Sequence, residues 1–310
     1  MDKTNPLAAS AQAPFETKDL AAYAATVFFW GTSWIALRAQ LGVVAPEVSI
    51  FWRFLLAAAV MWAWVASRGE RMRFSPLDHL RLAGTGLCLF SLNFALFYYG
   101  GLSVPSGLLS VVFSLASIFN LLLGALLLKQ RIEPQVALGA MIGAAGIGFL
   151  FWPEIAGAGF DTGALGGLAL CVAGTLCFCL GNMISTVVQR RGIPLLSAVT
   201  WGMTYGVVIM GAVSLARGHA FIVEPTAKYL VSLVALALGA SVVAFACYLT
   251  LLRRIGAARA GYATVLFPII ALAISTVFEG YVWTPLAMLG VALALAGNVL
   301  VLRRNARKAA

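Results

Sequence analysis

Carboxylates are scarce in this sequence: Asp and Glu together number 11 in 310 residues, and none lies inside a long apolar run. Charged residues of all kinds make up 10%, against roughly 25% in a soluble domain. Only two histidines occur, His79 and His219. These shortages exclude whole classes of chemistry. There is no HExxH, no GxSxG and no pair of intramembrane carboxylates, so the usual constellations of a membrane-embedded enzyme are missing. No GxxxxGK phosphate loop is present, which excludes direct coupling to ATP. The five cysteines, Cys88, Cys171, Cys177, Cys179 and Cys247, all fall in apolar segments. The "CFC" at 177 to 179 has the wrong spacing for zinc or thiol exchange, and buried thiols act as small hydrophobes. No cofactor and no metal is expected.

What the sequence has instead is apolar length, with 62% of its residues hydrophobic. A membrane-crossing helix needs about 20 mostly apolar residues. Ten such stretches are present: Leu20 to Val44, Val48 to Ala66, Leu80 to Gly101, Ser103 to Leu128, Pro134 to Trp152, Leu165 to Val188, Leu195 to Ala216, Tyr229 to Leu252, Gly256 to Phe278 and Thr284 to Leu302. Runs such as "LVSLVALALGA" are continuously apolar, whereas the strands of an outer-membrane barrel alternate. The expected fold is an all-α integral membrane protein in the lipid bilayer.

Basic residues set its orientation, because short cytoplasmic loops carry the Lys and Arg excess. Lys3, Lys18, Arg68, Arg71, Arg73, Arg81, Lys129, Arg131, Arg190, Arg191, Arg253, Arg254, Arg259 and the tail from Arg303 fall on one side, 17 of the 21 in all. Glu47, Glu154, Asp161, Glu224 and Glu279 fall on the other. Both termini are therefore expected in the cytoplasm, in a multi-pass protein of a bacterial inner membrane. The net charge of +10 follows from orientation and attraction to anionic headgroups, with no need for a nucleic-acid partner. The segment before Leu20 has no apolar core of a cleavable signal peptide, so the first helix is expected to direct insertion.

The chain also resembles itself. "PQVALGAMIGAAG", Pro134 to Gly146, aligns without gaps on "PLAMLGVALALAG", Pro285 to Gly297, at an offset of 151. "GLLSVVFS" from Gly107 pairs with "GYATVLFP" from Gly261 at an offset of 154. Two five-helix halves follow, residues 20–152 and 165–302, joined by a periplasmic linker 153–164 and flanked by a cytoplasmic segment 1–19 and a basic tail 303–310. Five is odd, so the second half enters the membrane from the opposite side. Inverted repeats of this kind belong to secondary transporters, with substrate held near the midplane.

"WGTSW" at 30 to 34, "FWRF" at 51 to 54 after Pro46, "LNFALFYYGGLSVPSG" from Leu92, and the "LG…G" helices five and ten resemble the drug/metabolite transporter superfamily, in particular its EamA-domain carriers. The resemblance spans nearly the whole chain. It departs at Gln130, where the family often has an acidic residue, and at Ser114, where it usually has a proline. It implies export of small metabolites. The aromatic-rich interior is similar to YddG-type exporters of aromatic amino acids, while other amino acids, drugs and nucleotide-derived metabolites are also carried in the family. A monomer or a homodimer is compatible with it.

Ser103, Ser106, Ser110, Ser114 and Ser117 recur every three or four residues in helix four and share one helical face. Such a face fits a wet cavity wall and equally a close-packed seam of small residues. The resemblance, in which helices three, four, eight and nine enclose the substrate, favours the cavity. Thr175 and Asn182 on helix six, Asn93 on helix three, Trp30 on helix one and Tyr248 on helix eight are further candidates. The amides need partners in a low-dielectric setting. Arg53 lies about six residues, or roughly 9 Å, inside helix two. It fits either a substrate carboxylate or a structural clamp, and the frequency of a matching arginine in the family favours the clamp. His79 stands at the cytoplasmic mouth of helix three, the one titratable group placed to couple transport to protons. Without a deep carboxylate, a facilitator or exchanger is the simplest expectation. A proton-coupled multidrug or metabolite efflux carrier and, more remotely, a channel are the alternatives.

Overall fold

The computed structural model describes residues 16–128, 134–150, 152, 162–261 and 263–309, and every regular element among these is a helix. In chain order they are α1 (Thr17–Ala39), α2 (Pro46–Arg68), α3 (Pro76–Leu87, Cys88–Leu92 and Asn93–Gly100), α4 (Ser106–Ser114 and Ala116–Leu128) and α5 (Pro134–Leu150). Then follow α6 (Thr162–Arg190), α7 (Leu195–Ala216), α8 (Ala227–Val234, Ala235–Val243 and Ala244–Gly261), α9 (Ala263–Phe278) and α10 (Pro285–Ala309). Seven of them, α1 to α4 and α6 to α8, are long and apolar enough to cross a bilayer, and α5, α9 and α10 hold shorter apolar stretches. Large apolar side chains such as Leu126, Val277 and Phe278 stand about three-quarters exposed, as a bilayer-facing surface allows.

Helix ends follow local chemistry. Ser75 caps α3 by accepting from the Asp78 N–H at 3.2 Å, and Pro76, which has no N–H to satisfy, fills the first turn. Gly69 closes α2 with φ 61°, a conformation that costs glycine nothing. Helix four starts at Ser106 and not at Ser103, because Pro105 disfavours helical geometry in the residue before it and leaves 101–104 as a turn. Helix eight runs through Gly261, so the expected start of helix nine at Gly256 is replaced by Ala263.

Two helices contain wide π turns, Cys88–Leu92 in α3 and Ala235–Val243 in α8. In each, a serine bonds the carbonyl five residues back at 2.9 Å: Ser91 to Gly86 and Ser241 to Leu236. The wider turn frees backbone groups and re-aims side chains, a device common at functional sites.

The tightest pairing joins the two self-similar stretches. A Cβ on Gly146 would fall 2.6 Å from the Gly290 carbonyl, and one on Gly297 would fall 2.5 Å from the Gly139 carbonyl. Rising numbers in α5 thus meet falling numbers in α10, so the two helices are antiparallel. The contact is reciprocal: the first glycine of each stretch meets the last of the other. Small residues let the backbones approach closely, which is how helices gain packing energy in lipid.

Ion pairs mark the two ends of the bundle. At one end, Arg38 closing α1 meets Glu279 after α9, and Arg217 after α7 meets Glu47 opening α2. At the other, Arg191 after α6 meets Asp78 opening α3 at 2.9 Å, and Arg254 in α8 meets Asp19 opening α1. Arg38 also donates to Gly101 O, so α1 and α3 end together, while α6 ends where α3 begins. α6 therefore runs opposite to α1.

Candidate functional site

Between the helices lies a cavity of about 510 Å³ with walls from α1 to α4 and α6 to α9. That size falls within the roughly 300 to 1,000 Å³ of small-molecule sites. Aromatic rings supply one wall. Trp34 meets Phe97 edge-on at 5.2 Å and stacks on Phe267 at 6.3 Å, and Phe113 meets Phe178 at 4.8 Å. Trp30 lies 5.0 Å from Tyr248 and donates its indole N–H to Ala240 O at 3.3 Å, a carbonyl of the α8 π turn.

Arg53 is the only charged residue in the described wall of the cavity, and it is 4% exposed. Its Nε and Nη2 lie 3.2 and 3.1 Å from Ser241 Oγ, the hydroxyl that the second π turn presents. The guanidinium carbon sits 4.3 Å from the Phe94 ring centre and 5.2 Å from that of Phe54. Cation–π contact and two hydrogen bonds offset part of the desolvation cost of about 2.5 to 3.5 kcal/mol. Among the described residues no carboxylate pairs with it. The geometry thus offers an anion a desolvated, unneutralised cation beside an aromatic wall.

Polar groups in the wall are few and specific. Asn93, 2% exposed, lines the cavity with an Oδ1 that has no hydrogen-bond partner among the described residues. Asn182 donates to Asn120 Oδ1 at 3.3 Å, and Ser117 bonds Asn298 Oδ1. Ser114 returns its hydroxyl to Val111 O at 2.6 Å.

Of the residues singled out in the sequence, Trp30, Arg53, Asn93, Ser114, Ser117, Asn182 and Tyr248 share this cavity. The serine face of α4 divides. Ser103 lies exposed in the turn before the helix, Ser106 is spent on Glu279, and Ser110 is fully buried with its hydroxyl on Gly107 O. Gly107 beside it packs on Leu272 and Ser275 of α9, where a Cβ would fall 2.9 Å from either side chain. The outer two turns of α4 are therefore a packing seam, and the part of α4 that lines the cavity starts at its Phe113 and Ser114 end. Thr175 is also off the cavity, buried and bonded to Cys171 O at 2.8 Å. His79 stands apart at the Asp78 end, its Nδ1 2.9 Å from the Tyr205 hydroxyl and its ring 4.6 Å from Trp201. Gln130 lies outside the described residues.

Asn120 and Ser241 were not singled out. Asn120 could have been found, since it is the one amide in the apolar run "FNLLLGALLL" and follows Ser117 by three residues, hence on nearly the same face. Ser241 could not: only the π turn aims it at Arg53.

Known proteins bear on this geometry. The chain is 28% identical over 286 residues to the "Probable terminal-alkyne amino-acid exporter" of Streptantibioticus cattleyicolor, covering 90% of this chain and 92% of that one. It is 25% identical to the "Probable amino-acid metabolite efflux pump" of Escherichia coli, covering 89% and 93%. The "Uncharacterized inner membrane transporter YedA" of Escherichia coli is likewise 25% identical over 280 residues, covering 89% of this chain and 88% of its own. A solved crystal structure superposes with a TM-score of 0.65 at 18% identity, over 94% of this chain and 99% of the other, and so shares the fold. The model of the EamA-like transporter family matches residues 19–152 and 165–303. The chain belongs to the EamA-like transporter family.

Proposed function

We propose that this membrane transporter exports amino acids, aromatic ones favoured, by alternating access between two inverted five-helix halves. The halves are residues 20–152 and 165–302, giving ten spans with both termini in the cytoplasm and the Glu279 end facing the periplasm of a bacterial inner membrane. As a member of a transporter family the chain is not an enzyme.

The observation that carries this proposal is Arg53, a buried cation with no carboxylate partner among the described residues, in a cavity walled by aromatic rings. A substrate carboxylate would take the guanidinium in a charge-assisted contact. The Asn93 Oδ1, which has no partner among the described residues, would accept from the ammonium, and the rings of Trp34, Phe113 and Phe267 would face the side chain. One relative named as an amino-acid exporter and one named as an amino-acid metabolite efflux pump support the substrate class. Among the described residues the cavity wall has no Asp, Glu, Lys or His, which favours movement down the substrate's own gradient.

Counterflow of labelled tryptophan in proteoliposomes tests the assignment. A hydrogen bond to a charged group is worth about 1.5 to 3 kcal/mol, so Arg53→Gln should slow exchange roughly tenfold to a hundredfold. Arg53→Lys should restore part of it, and tryptamine, which lacks the carboxylate, should not be carried. Exchange of tryptamine at the rate of tryptophan would remove Arg53 from the substrate site.

A further inference from the structure

A second recess lies outside the cavity, a groove of about 300 Å³ between α1 and α8. On α1 its wall runs from Phe29 to Ala39, eleven residues spanning about 15 Å of helix. Half of a hydrocarbon core of about 30 Å is the same length. At the inner end Phe29 closes the groove against Gly239, where a Cβ would fall 2.7 Å from the ring. Small residues, Ala36 and Ala39 on one side and Ala235 on the other, keep it open. Its hydroxyls are already spent: Thr32 bonds Phe28 O, Ser33 bonds Trp30 O and Ser232 bonds Tyr229 O. The groove therefore has the character of hydrocarbon over about half the thickness of a bilayer core.

At the outer end stands Lys228, exposed in the first turn of α8 and without an ion pair or hydrogen bond among the described residues. A cation at the mouth of an apolar slot as long as one leaflet's hydrocarbon matches one kind of molecule. We propose that the groove between α1 and α8 is a binding site for a single anionic phospholipid, with an acyl chain along α1 and the phosphate at Lys228. Ser33 lines both this groove and the central cavity, so the lipid chain backs the cavity wall at the thickness of one side chain.

Delipidated, purified protein is titrated with phosphatidylglycerol or phosphatidylcholine, and the first bound lipid is counted by native mass spectrometry. One lysine near a membrane surface is worth about a fivefold change in affinity for anionic lipid. Wild type should therefore hold phosphatidylglycerol about fivefold more tightly than phosphatidylcholine, and Lys228→Gln should abolish that preference. Ala36→Trp fills the groove and should remove the first bound lipid of either kind. Ala235→Trp fills it from the facing helix and decides the matter if Ala36→Trp lowers the unfolding temperature. Leu126→Trp, on an exposed surface of α4, should change nothing. Unaltered phosphatidylglycerol binding in Lys228→Gln and in the folded groove-filling variant overturns the site. Displacement of the lipid by glycerol 3-phosphate would overturn the acyl-chain assignment, since the site would then recognise a free phosphate.

Discussion

Arg38, in the last turn of α1, holds its Nε 3.3 Å from Oε1 of Glu279, the residue that follows α9. The other carboxylate oxygen, Oε2, accepts from Ser106 N at 2.9 Å, Ser106 Oγ at 2.5 Å and Ser275 Oγ at 2.6 Å. Arg38 Nη1 meanwhile donates to Gly101 O and Val104 O. One carboxylate thus ties the ends of α1 and α9 to the start of α4 above the cavity.

Glu279→Gln keeps the shape of this knot and removes its charge. The Arg38 side chain is 36% exposed, so solvent screens the pair and its worth is at most about 1 kcal/mol, or roughly fivefold in an opening equilibrium. A cysteine at Ser114, in a background without the native thiols, should then be modified up to about fivefold faster by an impermeant reagent added at the Glu279 end. An unchanged rate would mean that the knot does not gate the cavity.

Glycines 146 and 148 offer a paired test of the α5 seam. A Cβ at Gly146 would fall 2.5 Å from Ala294 N, whereas one at Gly148 meets nothing within 4 Å. Gly146→Ala should lower the unfolding temperature in detergent by several degrees. Gly148→Ala should hold or raise it, because alanine is the better helix former by about 0.8 to 1 kcal/mol. Equal behaviour of the two would contradict the close approach of α5 and α10.

Along α4, single cysteines should report where the seam ends and the cavity begins. Those at Ser114 and Ser117 should react with a small charged thiol reagent and be protected by excess tryptophan. A cysteine at Ser110, sealed against α9, should stay unreactive, because both access and thiolate formation fail there. Labelling at Ser110 as fast as at Ser117 would restore the longer wet face.

Transport should not need a proton gradient. With equal pH on both sides, liposomes holding the purified protein should equilibrate tryptophan, since the described cavity wall offers no carboxylate or imidazole to carry the coupling proton. Accumulation above the substrate gradient only under an imposed pH difference would contradict this, and His79→Gln would then show whether the His79 and Tyr205 contact is involved.

The sequence made the duplicated glycine helices legible because packing between backbones in lipid leaves a direct mark: few residue types fit, so the pattern repeats. It also marked Arg53, since a charge in an apolar run stands out. What it could not give was the division of the α4 serines. Periodicity says that five hydroxyls share a face, but the turn forced by Pro105 removes Ser103, a carboxylate 173 residues away claims Ser106, and α9 covers Ser110. The last two of those outcomes depend on a neighbour from the other half of the chain. The role of Ser241 was hidden for a similar reason, because a π turn has no dependable signature in residue types.

The reciprocal glycine contact of α5 with α10 has a meaning for origin. A surface that fits its own rotated copy needs only one gene to supply both sides. A five-helix ancestor inserted into the membrane in both orientations would have carried everything required to dimerise through this seam, and fusing two copies end to end would fix the opposed pair in a single chain. Copies so fused would be free to differ, and Arg53 on α2 with the serine that receives it on α8 is the kind of unequal pair that such a fusion would allow.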